Sequence, residues 1–417
     1  MFHRGKLLVF AGSFLIALYG LSAIFYGKVV AGNEAYKELG VFIDVFNRVK
    51  SDYVEVPNMN TVQEGAMRGL IDALDPYCSF LSREQYDSLQ KRKASGNAGL
   101  GIVLSKRADV IYIVAVEHDS AAAEAGVRPG DYLISVNDQD VENLSILEVD
   151  SLLHGSASSK VKLTLFRGGI TKPLVLELVL KNPTSNPVSS KMLDGNVGFL
   201  NVSSLSNASA EQIKIKLKTL ISAGAKKLIL DLRDCADGTP GDGADLANFF
   251  MRSGVIYFSQ NRQGEKVQVV EANPEKYVTD LPLVVLIDGS TASAAEIAAG
   301  ALKDNQRATV VGEKSFGIGS AQKTIQLKSG GLLILSTAKF CTPSGKIIQD
   351  ESGSKTGILP DVQAPEDDQR QDLADSLYDE KDNAEKYKQF QEETDKIQLD
   401  KALEILSKDR APAKKAA

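Results

Sequence analysis

A chain of 417 residues is long enough for two or three domains. Its 43% hydrophobic and 24% charged residues are ordinary for a globular protein, and a formal net charge of −6 excludes a basic nucleic-acid footprint, so no nucleic-acid partner is expected. Cys78, Cys235 and Cys341 form no CxxC pair and no disulfide framework; three reduced, buried thiols are expected over one bridge plus a free thiol.

The N-terminus differs in kind. His3, Arg4 and Lys6 precede Leu7 to Gly27, a stretch without charge that is mostly Leu, Phe, Ile and Ala. About 20 apolar residues span a bilayer core, and the basic flank places the N-terminus inside. A secretory core is shorter, about 7–15 residues, and ends in a small-x-small site. Val29-Val30-Ala31 is a poor version of that site. Residues 1–32 therefore read as an uncleaved anchor, with a cleaved leader as the other reading. The body is expected on the periplasmic side of the cell envelope, held at the inner membrane.

Residues 33–95 read as a helical region. Val41, Ile43, Val45, Phe46 and Val49, then Ala66, Leu70, Ile71 and Leu74, recur at helical spacing. Asp75-Pro76 stops the second helix, Ser82 with Glu84 and Gln85 opens a third, and Ser95-Gly96 closes it.

From 96 to 170 the texture changes to short β segments. Ile102-Val103-Leu104, Val110 to Val116, Tyr132 to Val136 and Val161 to Phe166 are β-branched or aromatic runs bounded by turn residues. Ala125-Gly126-Val127-Arg128-Pro129-Gly130-Asp131 is a tight turn feeding a strand. With Gly99-Leu100-Gly101-Ile102 before it, this stretch resembles a PDZ domain. The resemblance implies that Gly99, Leu100, Gly101 and Ile102 bind a peptide C-terminus through backbone N–H groups. Leu147 to His154 would be the helix lining the peptide groove.

Residues 171–365 alternate strands and helices, the pattern of an α/β domain with a largely parallel sheet. Val197 to Val202, Lys227 to Leu232, Leu283 to Ile287 and Thr309 to Val311 read as strands, Ala210 to Ala223 and Ser293 to Lys303 as helices. Residues 366–417 are charge-rich, with an amphipathic helix over Gln398 to Leu406 and a disordered end from Arg410 to Ala417.

Such a sheet works at the C-terminal ends of its strands. There the strand Leu283 to Ile287 runs through Asp288-Gly289 into Ser290-Thr291-Ala292-Ser293 and a small-residue helix. A serine at that turn is held out of the sheet at the positive end of a helix, and the amide of Ala294 can stabilise an oxyanion. The bland alternative is a set of N-cap residues. A serine nucleophile needs a base. The histidines, His3, His118 and His154, all precede the core, which excludes a local Ser-His-Asp triad. A Ser–Lys dyad remains.

With these motifs in order, the chain resembles the carboxyl-terminal (tail-specific) processing proteases over about residues 35–365. The shared motifs include Leu74-Asp75-Pro76, the PDZ loops, Asp231-Leu232-Arg233, Ser290 to Ile297, Gly312 to Gly317, Cys341 to Gly345 and Gly357 to Val362. The resemblance implies a multidomain α/β protein: helical region, PDZ domain and a ClpP/crotonase-like protease core. It implies Ser293 as nucleophile, the Ala294 amide and the Gly238 loop as oxyanion donors, and Gln322 as the residue that steadies a lysine. It implies no cofactor and no metal. Its partners would be peptide or protein C-terminal tails, the membrane through the anchor, and an active paralogue.

The chain departs from that pattern at its centre. The lysine's place, between Gly317 and Gly319, holds Ile318, which cannot accept a proton. In the oxyanion loop, Cys235 stands for Asn and Asp237 for Gly, which sets a carboxylate near the hole and restricts the backbone. Lys314 or Lys323 could replace the base. Cys235 lacks an activating histidine. The acidic set Asp231, Asp234, Asp237, Asp242 and Asp245 reads as a solvated loop rather than a metal site. Two functions follow: a tail-specific serine endopeptidase acting through Ser293, and a catalytically inactive peptide-binding homologue.

Overall fold

The computed structural model describes residues 39–107, 110–168, 172–182, 187–206, 210–349, 356–366 and 384–408. The expected anchor, Leu7 to Gly27, and the end from Arg410 lie outside them. Among the described residues no helix is long and apolar enough to cross a membrane. Two compact units are present, Met1–Met67 and Arg68–Ala417. In the first, residues 39–52 form helix α1, on which Phe42 and Phe46 stack at 6.4 Å. Helix α2 runs over Met59–Asp72.

After α2, Asp75 accepts the amides of Tyr77 (2.8 Å) and Cys78 (2.9 Å), which turns the chain out of the helix. A short strand, β1 (Ser79–Leu81), follows within the stretch expected to be helical. Its buried Ser79 and Leu81 pair it with the core rather than leaving a helix to continue. Ser82 and Gln85 then form the expected capping box of α3 (Arg83–Ser95).

The PDZ sheet has the order β2-β3-β4-β6-β7. Its strands are β2 (Ile102–Arg107), β3 (Val110–Val116), β4 (Tyr132–Val136), β5 (Gln139–Asp140), β6 (Lys160–Phe166) and β7 (Leu174–Val179). Alternation drives it: Val161, Leu163 and Leu165 of β6 are buried between outward residues. Helix α4 (Ala121–Glu124) precedes the tight turn, and α5 (Ile146–Leu152) packs beside β2. The turn is locked by Arg167, which is 9% exposed and donates from Nε and Nη2 to the two oxygens of Asp131 at 2.6 and 2.8 Å. Removing one partner of a buried fork strands the other charge. Arg167→Ala is therefore expected to destabilise this domain by about 3–5 kcal/mol, measurable by urea unfolding.

Among the described residues the core holds ten more strands: β8 (Val188–Leu193), β9 (Val197–Val202), β10 (Lys227–Asp231), β11 (Val255–Gln260), β12 (Lys266–Glu271), β13 (Leu283–Ile287), β14 (Thr309–Gly312), β15 (Ser320–Gln326), β16 (Leu332–Cys341) and β17 (Val362–Gln363). The central sheet has the order β17-β14-β13-β10-β9-β8, parallel except for β8. All five residues of β13 are buried, as expected of a strand covered on both faces. Helices α6 (Ala210–Ser222), α7 (Pro240–Asn248) and α8 (Ala294–Asp304) cover one face. The other face is covered by α9 (Ala384–Lys408), through Ala402 and Leu406. The charge-rich C-terminal region thus supplies a core layer, and its helix starts well before Gln398. The second core sheet, β1-β16-β11-β12 with β15 on β16, is antiparallel.

Candidate active site

Two loops leave the C-terminal ends of β10 and β13, and hydrogen bonds zip them together. Asp288 accepts the amides of Asp234 (3.2 Å) and Ser290 (3.0 Å) and the hydroxyl of Thr291 (2.9 Å). The amide of Ala292 donates to the carbonyl of Cys235 at 2.9 Å. Burial pushes the Asp288 carboxyl up to about 6 and raises that of Asp234, which Asp288 raises further.

Ser293 stands at the N-terminus of α8 with φ 55° and ψ −120°. A non-glycine residue there stores about 1–3 kcal/mol of strain, a mark of functional turns. Its hydroxyl donates to the carbonyl of Gly238 at 3.2 Å. Among the described residues the amides of Ala294 and Gly238 donate to no acceptor. The two residues adjoin: a Cβ on Gly238, at φ 93°, would lie 3.0 Å from the Ala294 Cβ and 2.7 Å from that of Leu205. Two free amides beside a strained serine are the arrangement of an oxyanion hole.

Glu296 fastens this turn to the segment where a base is expected. It is fully buried, and its Oε2 accepts the amides of Ser293 (3.0 Å) and Ile318 (2.8 Å). Its Oε1 pairs with the Ser315 hydroxyl, whose oxygen accepts the Ile358 amide at 2.6 Å. Glu296 is a functional residue that the sequence motifs alone did not single out. Its spacing three residues after a helix-opening serine is the capping-box signal that could have done so.

The side chain of Ile318 is half-buried in an apolar seam. That seam joins Val103, Tyr112, Val114 and Ala115 of the PDZ domain to Ala236, Ala292 and Phe316 of the core. The rings of Tyr112 and Phe316 lie 5.7 Å apart. Lys314 and Lys323 are exposed. Among the described residues no nitrogen base hydrogen-bonds to the Ser293 hydroxyl. Gln322, on β15, donates to the carbonyl of Tyr77 at 3.0 Å.

The expectations for the acidic residues need correcting. Asp237 carries no positive φ; the left-handed positions in this loop are Asp234 (58°) and Gly238 (93°). Its carboxylate accepts the Leu205 amide (2.7 Å) and the hydroxyls of Ser204 (2.5 Å) and Ser206, so it turns to the loop after β9. The set is not a solvated loop. Asp231 holds Arg233 bidentately at 2.7 and 2.8 Å, Asp242 caps α7 with Thr239, and Asp245 meets Lys276. The cysteines are free and buried, and burial raises the Cys235 thiol, so it is no nucleophile.

At the PDZ domain, Gly99 donates to and accepts from Lys181, which fixes the loop. The amides of Leu100 and Gly101 donate to no acceptor among the described residues. With Ile102 they line a cavity of about 190 Å³, and backbone N–H groups turned into such a concavity suit an anion. Gly101, at φ 73°, lies so close that a Cβ would meet the Ser120 Cβ at 2.3 Å. Gly101→Ala is therefore expected to weaken binding of a free-acid peptide at least tenfold, read by fluorescence anisotropy; unchanged affinity would place the groove elsewhere.

Residues 196–364 match the family model described as peptidase family S41, and residues 112–167 that of a PDZ domain. The chain is 31% identical over 341 residues to the carboxy-terminal-processing protease of Bartonella bacilliformis, covering 80% of this chain and 77% of that one. It is 34% identical over 321 residues to the carboxyl-terminal-processing protease of a Synechocystis species, covering 75% and 74%. The solved photosystem II D1 C-terminal processing protease superposes with a TM-score of 0.64 at 25% identity, covering 77% of this chain and 92% of that one.

Proposed function

The chain belongs to peptidase family S41, with relatives that are carboxy-terminal processing proteases, and on that premise we propose that it is a tail-binding member that captures C-termini without an intact proteolytic dyad. The observation that carries this is Ile318. Its side chain fills an apolar seam where the dyad needs a basic nitrogen, while the Ser293 hydroxyl is committed to the Gly238 carbonyl. Loss of a positioned base commonly costs about 10²–10⁴-fold. The free amides of Leu100 and Gly101 support capture of a peptide carboxylate. Leu7 to Gly27 would hold the body at the membrane on the extracytoplasmic side.

One observation favours a second reading, residual endopeptidase activity: the strained turn at Ser293 and the free amides beside it are retained. The test is digestion of an unstructured protein with an apolar C-terminal tail by the native chain and by Ser293→Ala. The expected result is tail binding by both and cleavage by neither. Cleavage by the native chain that vanishes in Ser293→Ala would overturn the binding-only reading.

A further inference from the structure

The pocket at the PDZ nest is not closed by the PDZ domain alone. Its wall includes Ser206, from the core loop that follows β9. Ser206 is exposed, and its hydroxyl donates to Asp237. Asp237 immediately precedes Gly238, whose carbonyl holds the Ser293 hydroxyl. A single core side chain thus reaches the tail pocket and, through one acceptor, the loop beside the nucleophile. An independent observation links the same residues. Glu117, another wall residue, has its carboxyl raised first by burial and next by the charge of Asp237.

Resting on the tail-binding reading, we propose that Ser206 is a tail-contacting residue supplied by the core, and that Asp237 competes with the bound carboxylate for its hydroxyl and so sets tail affinity. A hydroxyl has one proton to donate. In the free protein Asp237 takes it; with a tail in the nest, two carboxylates converge on it. The tail also brings like charge towards Asp237 and Glu117. Both effects oppose capture; the competition needs Asp237, and the repulsion is reduced without it. By reciprocity, a captured tail loosens the hold of Asp237 on residues 204–206 and hence on the loop carrying Gly238. The ligand is a free C-terminal carboxylate, so an amidated tail lies outside the competition.

The test uses the full-length chain in detergent and a fluorescein-labelled decapeptide ending in valine, as free acid and as amide, read by anisotropy. Asp237→Asn is expected to tighten the free acid about fivefold. Ser206→Ala is expected to weaken it about threefold in the native background and about tenfold in the Asp237→Asn background. Ser206→Thr, which keeps the hydroxyl, restores native affinity, and the amide is insensitive to all three changes. Equal effects of Ser206→Ala in both backgrounds, or an equal response of the amide, overturn the competition. Binding that is lost in Gly101→Ala yet indifferent to Ser206 and Asp237 overturns it alone. No binding of the free acid by the native chain overturns the tail-binding reading, and this inference with it.

Discussion

Ile318→Lys is expected to cleave a tail-bearing unstructured protein at least about 10²-fold faster than the native chain, and Ser293→Ala in that background to abolish the gain. The backbone at position 318 is already held, because its amide donates to Glu296, which also holds the Ser293 amide. A lysine side chain would leave from that fixed point into Val103, Val114, Ala115, Ala236 and Ala292. Such surroundings penalise an ammonium and favour the neutral amine that a general base must be. Among the described residues the amides of Ala294 and Gly238 donate to no acceptor, and the Asp237 carboxylate is turned towards residues 204–206. A cost is expected with the gain. The new polar end sits in the seam between PDZ domain and core and should lower stability by about 1–3 kcal/mol. A folded, tail-binding Ile318→Lys chain with no turnover would show that the dyad is not the missing part.

The same residues mark how far the sequence could be read. The strand-to-helix turn at Ser293 and the PDZ loops were legible because each is a local pattern: a strand, a tight turn and the residue types that form them. The capping box of Ser82 and Gln85 was legible for the same reason. Three features were not. Asp237 looked harmful because sequence position places it near the oxyanion loop, whereas its direction is set by donors on Leu205, Ser204 and Ser206, some 30 residues away in the chain. The seam around Ile318 depends on β3 of the PDZ domain meeting the core, a long-range contact that no local period encodes. The strand Ser79–Leu81 lay in a helical stretch, and only its pairing with β16 decides its conformation.

Glu296→Gln is expected to change the pH dependence of stability more than any other single substitution in the site. Burial pushes the Glu296 carboxyl from 4.5 up to about 8, against the opposing hydrogen bonds from Ser315, Ile318 and Ser293. The folded protein therefore holds a proton that the unfolded chain has lost between those two values. This group's favourable contribution is complete below about pH 4.5, declines as pH rises through the window, and is gone above about 8. A gap of that size corresponds to a change of order 5 kcal/mol across the window. Asp288, raised to about 6, and Asp234 add to the same slope and would remain in the variant. Glutamine imitates the protonated acid: its carbonyl can accept the amides of Ser293 and Ile318, and its amide can donate to Ser315. Urea unfolding at pH 5, 6.5 and 8 should show Glu296→Gln equal to the native chain at the lowest value and more stable at the highest. A native-like slope in the variant would mean that Glu296 is charged in the folded protein. Glu296→Ala should lose about 3 kcal/mol or more at every pH, because two amides lose their acceptor and the Ser315 hydroxyl its partner. These bonds also tie the serine turn to residue 318, so the activity gained in Ile318→Lys should survive Glu296→Gln and disappear in Glu296→Ala. Survival in both would free the dyad geometry from dependence on this carboxyl.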